Sequence, residues 1–313
     1  MKALVHLASG IGNIVLATPL LIALNEIGFT IDLRLSADYE ATADLLRGWS
    51  ILRHVFAGGD AAAIRGERYD AVIPAIPPFY WFRFRRIYAG GLRCVPRPPD
   101  SLFYENEQAY YLAFARALGY PRERSPEIAL PIGPAPDYHA AGATIVLAPG
   151  SKTGEMAAKR WPWFAQLAAL LPEAAVVGTA DDLFCADGSP MLFPGNVTNL
   201  AGSLSLRQTA ELIASARLVV ANDTGLAYVA AAVGTPTIIL FGPTPDRSLG
   251  PLPSHVTLLR RGLPCEPCWF GARLAQCQKR IDCLCGLEVE RVYREVRQLA
   301  LTPAVQEQAG VFR

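Results

Sequence analysis

The sequence predicts an α/β protein of two Rossmann-like domains facing across a cleft. Strand-like runs alternate with helical ones along the chain, and a strand, glycine-rich turn and helix open each half. The 313 residues also exceed what one hydrophobic core usually supports. A hydrophobic content of 51% with 18% charged residues supplies real cores and excludes a disordered chain. The 29 Lys and Arg balance 28 Asp and Glu, so the net charge of +1 excludes a broad electrostatic case for nucleic acid and leaves only local basic patches.

Ala3–Ala8 reads as the first strand, Ser9–Asn13 as a glycine turn and Ile14–Asn25 as a helix, with Gly28 at a left-handed cap. The interior Gly10, Gly12 and Asn13, and a single Lys2, make this stretch a poor signal peptide and a poor membrane span. The expected location is therefore cytoplasmic, with contact at the inner face of the membrane left open. Thr30–Leu35 reads as a strand, Tyr39–Leu46 as a helix, Tyr69–Ile73 as a strand and Glu107–Leu118 as a helix closed by Gly119 and Pro121. A segment rich in Pro, Gly and Ala ends in Pro134–Gly142 and marks the domain boundary.

The second half repeats the rhythm. Thr144–Ala148 is a strand opening into Pro149–Gly154, Trp163–Leu171 a helix, Ala174–Val177 a strand and Leu206–Ala216 a helix. Leu218–Ala221 is a strand, Thr224–Val233 a helix capped by Gly234, and Thr237–Phe241 a strand. The expected division is residues 1–135, then 142–288 with a cysteine cluster at 265–285, then a helix in 289–313 packing back on the first domain. Ligands in such folds sit beyond the carboxyl ends of the strands.

Asp223 and Thr224 lie where a strand meets a helix, and Gly225 would let a ligand approach the backbone. The N–H groups of that first turn favour an anion such as a diphosphate, although either side chain could simply cap the helix. Gly242, Pro243 and Thr244 add a second turn at the next strand's end. Lys159 and Arg160 precede Trp161 and Pro162 at a helix start; with Gly150 and Ser151 they could hold phosphates, or remain solvated. Gly10 and Gly12 lack the third glycine of a dinucleotide fingerprint, and their interest comes from their place on the first strand.

Together, Gly10–Asn13 with Thr18 and Pro19, Pro149–Ser151, Lys159–Pro162, Asn222–Leu226 and Gly234–Thr244 resemble the family 9 glycosyltransferases, the heptosyltransferases of lipopolysaccharide assembly and their relatives. The resemblance runs over nearly the whole chain. It implies a GT-B fold, an ADP-sugar donor in the second domain, an acceptor in the first, and metal-independent transfer with inversion. It places Lys159 on donor phosphate, Asp223, Thr224, Gly225 and Leu226 in the diphosphate turn, and Asp182 near the donor ribose, with Asp181 as the neighbouring register.

Three positions depart from the family. Asn13 stands where an Asp is proposed as the base, and an amide has no site of useful basicity. Tyr228 replaces a His, and Asn106 replaces another. Asp100, Glu105 and Glu107 are the candidate replacement bases; the other outcome is a chain without ordinary activity.

Of seven cysteines, five fall between Cys265 and Cys285. The Cys265–Cys268 pair, followed by further thiols within about twenty residues, has the spacing of a tetrahedral zinc or iron site, against disulfides or plain thiols. Similar clusters in some relatives look like a metal-bearing finger, and that resemblance implies Cys277 and Cys283, rather than Cys285, as the remaining ligands. In Phe79–Tyr88, aromatics interleave with Arg83, Arg85 and Arg86, which suits a sugar-phosphate acceptor or an anionic membrane surface, or else a buried aromatic element.

The expected function is transfer of a sugar, such as heptose, from an ADP-linked or other nucleoside-diphosphate sugar to a lipopolysaccharide-type glycan, a lipid-linked acceptor or a protein. The alternatives are a nucleotide-sugar-binding scaffold without turnover and a sugar-nucleotide epimerase. No cofactor is expected for the transfer itself.

Overall fold

The computed structural model describes residues 1–58, 64, 67–88, 94–134, 145–268, 277 and 281–301, with the side chains of 37–38, 85–88 and 301 outside that set. Four strands, β1 (Lys2–Leu7), β2 (Thr30–Leu35), β3 (Leu52–Ala57) and β4 (Ala71–Ala75), form a parallel sheet in the order β3-β2-β1-β4. Six more, β5 (Ile145–Ala148), β6 (Ala174–Val176), β7 (Thr198–Asn199), β8 (Leu218–Asn222), β9 (Thr237–Leu240) and β10 (Val256–Leu259), form a second parallel sheet, ordered β10-β9-β8-β5-β6-β7. The segments of the two sheets lie on either side of residues 135–144, where the boundary was expected and which are outside the described set.

The strand orders locate the two crevices. In the first sheet the chain runs outward from β1 to β3 and then crosses to β4; in the second it runs from β5 to β7 and then crosses to β8. Such reversals open a crevice at the strands' carboxyl ends, here between β1 and β4 and between β5 and β8. After β1 come α1 (Ile11–Leu16) and α2 (Thr18–Glu26), divided at Ala17 just before Pro19. Helix formation thus begins three residues earlier than expected, so Gly12 and Asn13 belong to the first turn. Gly28, at φ 87°, ends the unit as expected.

Tyr39–Leu46 is not one helix but a 3₁₀ turn (Ala37–Thr42) followed by α3 (Ala43–Leu46). The sheet-edge strands β3 and β10 escaped the sequence pattern because their faces are only partly buried. Two further helices before the domain boundary, α4 (Pro78–Tyr88) and α5 (Asp100–Glu105), lead into α6 (Glu107–Ala117). In the second half, α7 (Phe164–Ala169), α8 (Leu206–Ser215) and α9 (Gly225–Ala232) flank the sheet, followed by α10 (Asp282–Cys285) and α11 (Val289–Leu301).

The described part of α11 packs on the second half. Val292 and Val296 are buried in one cluster with Trp161, Phe164 and Leu167 of the second half, because the helix carries its apolar residues on the face that covers α7. The two halves are joined elsewhere. Leu7, Leu16, Ala227 and Tyr228 share a single apolar cluster, Arg207 Nη1 donates to the Asp44 carbonyl at 2.9 Å, and Gln108 Nε2 donates to the Pro251 carbonyl at 2.7 Å.

Candidate functional site

The loops after β1, β5, β8 and β9 meet where the halves join. Asn222, fully buried at the end of β8, accepts from the Trp161 N–H at 3.0 Å and donates to the Pro149 carbonyl, tying the turn after β5 to the turn after β8. The carboxylate of its neighbour Asp223 is 5% exposed. It pairs with Lys159 Nζ at 2.7 Å and accepts from the Tyr228 hydroxyl; Lys159 also donates to the Asp223 carbonyl at 3.0 Å. Burial alone would push the Asp223 pKa up, but Lys159 and then Tyr228 outweigh it and hold the carboxyl below its ordinary range. Burial first, then Asp223, raises the Tyr228 phenol well above its usual value, which keeps it a proton donor. Thr224 sits at the N-cap of α9 but makes no capping bond through its side chain, and Leu226 in the first turn packs on the shared core.

Gly225, read as room for a ligand, faces protein in this structure, as do Gly10 and Gly12. A side-chain carbon on Gly12 would lie 2.9 Å from the Tyr228 ring, and one on Gly225 would lie 2.8 Å from Ile11 Cβ. One on Gly10 would lie 3.3 Å from Lys152 Nζ. All three are contacts between the two halves, so these glycines let the halves approach each other. Gly150 leaves room for the Asp182 side chain, and Gly242 for Leu284 and the Cys283 sulfur.

Arg160 is 4% exposed and its guanidinium is spent on the protein. It donates to the carbonyls of Ser151, Asp181 and Phe184 and to the Ser151 hydroxyl, with Asp182 at 3.5 Å. Asp182 caps its own turn, accepting from the Thr179 N–H at 2.7 Å.

On the opposite wall, Asn13 Oδ1 accepts from Ser9 Oγ and its Nδ2 donates to Glu107 Oε1, each at 2.6 Å. Glu107, in the first turn of α6, is 6% exposed. Burial pushes its pKa up to about 7 against hydrogen bonds from Asn13 and Tyr111, while Asp223 adds to the rise and Lys159 opposes it. Asp100 and Glu105 are not brought to this place: Asp100 is more than half exposed and pairs with Arg97 at 2.7 Å, and Glu105 is exposed.

Sequence reasoning missed Asn222 as the tie between turns, Tyr111 as a partner of Glu107, and Lys152 as a cross-half contact. Tyr111 had a signal: four residues after Glu107 on a helix, it falls on the same face. Lys152 also lies 5.5 Å from the Tyr39 ring, whose hydroxyl is 2.9 Å from that of Tyr80. The aromatic stretch is a helix. Phe79 and Phe82 are exposed, and the Arg83 guanidinium lies 5.4 Å from the Tyr80 ring. The side chains of Arg85 and Arg86 lie outside the described residues.

Much of the segment expected to form a metal finger, residues 269–276 and 278–280, lies outside the described residues. Among the described residues no three His, Cys, Asp or Glu side chains are placed to hold a metal ion. Cys265 is exposed, Cys268 and Cys277 are half-buried and Cys283 is buried. The Cys283 thiol is pushed up to about 12 by burial, then by Glu266 and the other three cysteines. Among the described residues no helix is long and apolar enough to cross a membrane.

Two parallel sheets, joined where the loops at their carboxyl ends meet, define a GT-B protein with a cation-bearing turn on one wall. The profile of glycosyltransferase family 9 (heptosyltransferase) matches residues 107–277, and the chain belongs to that family. It is 36% identical over 126 residues to lipooligosaccharide heptosyltransferase 2 of Haemophilus influenzae, a match covering 37% of this chain and 36% of the relative. The chain therefore matches about a third of the length of that curated relative. In structure it resembles the ADP-heptose heptosyltransferase II of Escherichia coli, with a TM-score of 0.69, 20% identity and coverage of 96% of this chain and 99% of that one. It also resembles TibC, described as a dodecameric iron-containing heptosyltransferase in complex with ADP-D-β-D-heptose, with a TM-score of 0.63, 16% identity and coverage of 95% and 75%.

Proposed function

We propose that this chain is an inverting glycosyltransferase that moves a sugar from a nucleoside-diphosphate sugar to a glycan, lipid-linked or protein acceptor. The observation that carries the reading is Lys159, paired with Asp223 beside the N-terminus of α9 in the β5/β8 crevice, directly opposite the loop after β1. The donor's diphosphate would take the first-turn N–H groups of α9 and draw on Lys159, which stabilise the charge that builds on the leaving group. Gly150, Ser151, Asp182, Gly242 and Thr244 would frame the nucleotide, with Arg160 bracing that wall. The acceptor would lie beside the loop that carries Gly10 and Gly12 and on the Arg83 side of α4, with its hydroxyl in line with the anomeric carbon. Relatives named for ADP-heptose support an ADP-linked heptose, and the heptosyltransferase 2 likeness supports a lipopolysaccharide-type acceptor. Such an acceptor places the enzyme at the inner face of the membrane, where Phe79, Phe82 and Arg83 would rest on lipid.

The structural zinc or iron expected at Cys265, Cys268, Cys277 and Cys283 takes no part in this proposal. Its support is the iron-containing TibC, whereas the described thiols form no ligand set. Metal well below one ion per chain after anaerobic purification would end that reading.

Calorimetry with ADP-, GDP-, UDP- and dTDP-sugars, run beside a product assay over candidate acceptors, tests the function. ADP-sugar binding with a glycosylated product is expected. Binding without product across acceptors would favour a nucleotide-sugar-binding scaffold, the reading that Asn13 and Tyr228 recommend.

A further inference from the structure

Two buried carboxylates face the junction of the halves, and the donor wall uses one of them. Asp223 is committed to Lys159 and Tyr228. Glu107 has no salt bridge among the described residues, yet the fold holds it firmly. Asn106 caps α6 by accepting from the Ala109 N–H at 2.9 Å, which fixes the turn that carries Glu107. Ser9 donates to Asn13 Oδ1, so the Asn13 amide must present its N–H face to the Glu107 carboxylate. Tyr111 holds the carboxylate from one helical turn further on.

We propose that Glu107 is the catalytic base of the transfer and that Asn13 is its positioning residue. The inference rests on the transferase reading above. In this chain the amide of the hydrogen bond between them is Asn13 and the carboxylate is Glu107. The carboxylate is then supplied by the start of α6, 94 residues away from the loop it faces. A carboxylate offers about four lone-pair sites. Asn13 and Tyr111 use two, which leaves room for an acceptor hydroxyl to donate.

In the step, the acceptor O–H proton passes to Glu107 and the acceptor oxygen bonds to the anomeric carbon from the face opposite the diphosphate. The bond from that carbon to the diphosphate oxygen breaks, and its electron pair leaves with the nucleoside diphosphate. Glu107 later returns the proton to water. The charged and titratable groups around it are Asp223 and Tyr228 from the β8–α9 segment, Lys159 from the turn before α7 and Tyr111 from its own helix. Burial and Asp223 hold the carboxyl near neutrality, where a base is both available and basic enough to work.

The test uses ADP as the binding probe and ADP-D-β-D-heptose with the acceptor found by the screen. Glu107→Gln is expected to bind ADP as wild type does and to lose kcat by about 10²–10⁴-fold at unchanged KM. Asn13→Ala should lower kcat and move the acid limb of kcat/KM to higher pH, because the lost hydrogen bond had favoured the charged carboxylate. Asn13→Asp combined with Glu107→Gln should recover part of the lost rate, with an acid limb below that of wild type. A Glu107→Gln variant that turns over like wild type would overturn the assignment. If that variant does not fold, an acid limb unmoved by Asn13→Ala would overturn it instead. Failure of the wild-type protein to bind any of ADP, GDP, UDP and dTDP would remove the transferase reading, and this one with it.

Discussion

Asp223 and Glu107 are both almost sealed from water, both stand where a helix begins, and they face the same junction from opposite halves. Their acidities move in opposite directions. Asp223 has an ammonium at 2.7 Å and stays ionised; Glu107 has an amide and a phenol as partners and holds its proton to about pH 7. Burial is common to both and the neighbour decides. Hydrogen bonds from neutral groups only partly offset desolvation, whereas a full opposite charge reverses it. The wall that carries Lys159 is thus a fixed charge array, while the opposite wall carries a group able to gain and lose a proton.

Removing the cation should have the largest effect on this contrast. Lys159→Ala leaves Asp223 buried without a counter-charge, and breaking such a pair costs about 3 kcal/mol when it is well buried. Lys159 is 19% exposed, so the loss should fall somewhat short of that in urea denaturation, with ADP binding weakened alongside. Unchanged stability would mean that Asp223 is not held ionised by Lys159.

At Glu107 the expected effect depends on pH. Its carboxyl titrates at about 7 in the folded chain and near 4.5 when unfolded, so the folded state holds the extra proton between those values. Stability is therefore lost as pH rises from about 4.5 through 7, with a slope of at most roughly 1.4 kcal/mol per pH unit. Glu107→Gln should flatten that decline and melt higher than wild type at about pH 8, with little difference at about pH 4. Parallel melting curves across this range would put Glu107 in the same class as Asp223.

The smallest effect should come from the seam itself. Gly12→Ala pushes a methyl against the Tyr228 ring, and overpacking of this kind costs about 1–3 kcal/mol. Tyr228→Leu in the same chain should recover part of the loss. A double variant no more stable than Gly12→Ala alone would place the strain elsewhere.

The alternating strands and helices were legible in residue order, and β2, predicted over Thr30–Leu35, has those ends in the structure. The edge strand β3 was not, because Arg53 and His54 interrupt its apolar run. Their reason for being there is Asp32 on the neighbouring strand, to which both are bonded. The motif Asn222–Leu226 could be read as a turn at a helix start, but not the division of labour within it, where Asn222 ties two loops and Asp223 holds a cation. Among the three candidate carboxylates no local pattern could choose.

By itself the sequence determined the fold class and the family. Periodicity, glycine caps and the order of the motifs are local properties that each half carries wherever it sits. Tertiary structure decided what the motif residues do. Gly10, Gly12 and Gly225 became a seam between halves, Arg160 became a brace, and Glu107 became the partner of Asn13. The physical reason is that pairing and desolvation depend on which groups from distant segments share a low-dielectric space, and only the packed chain brings them together.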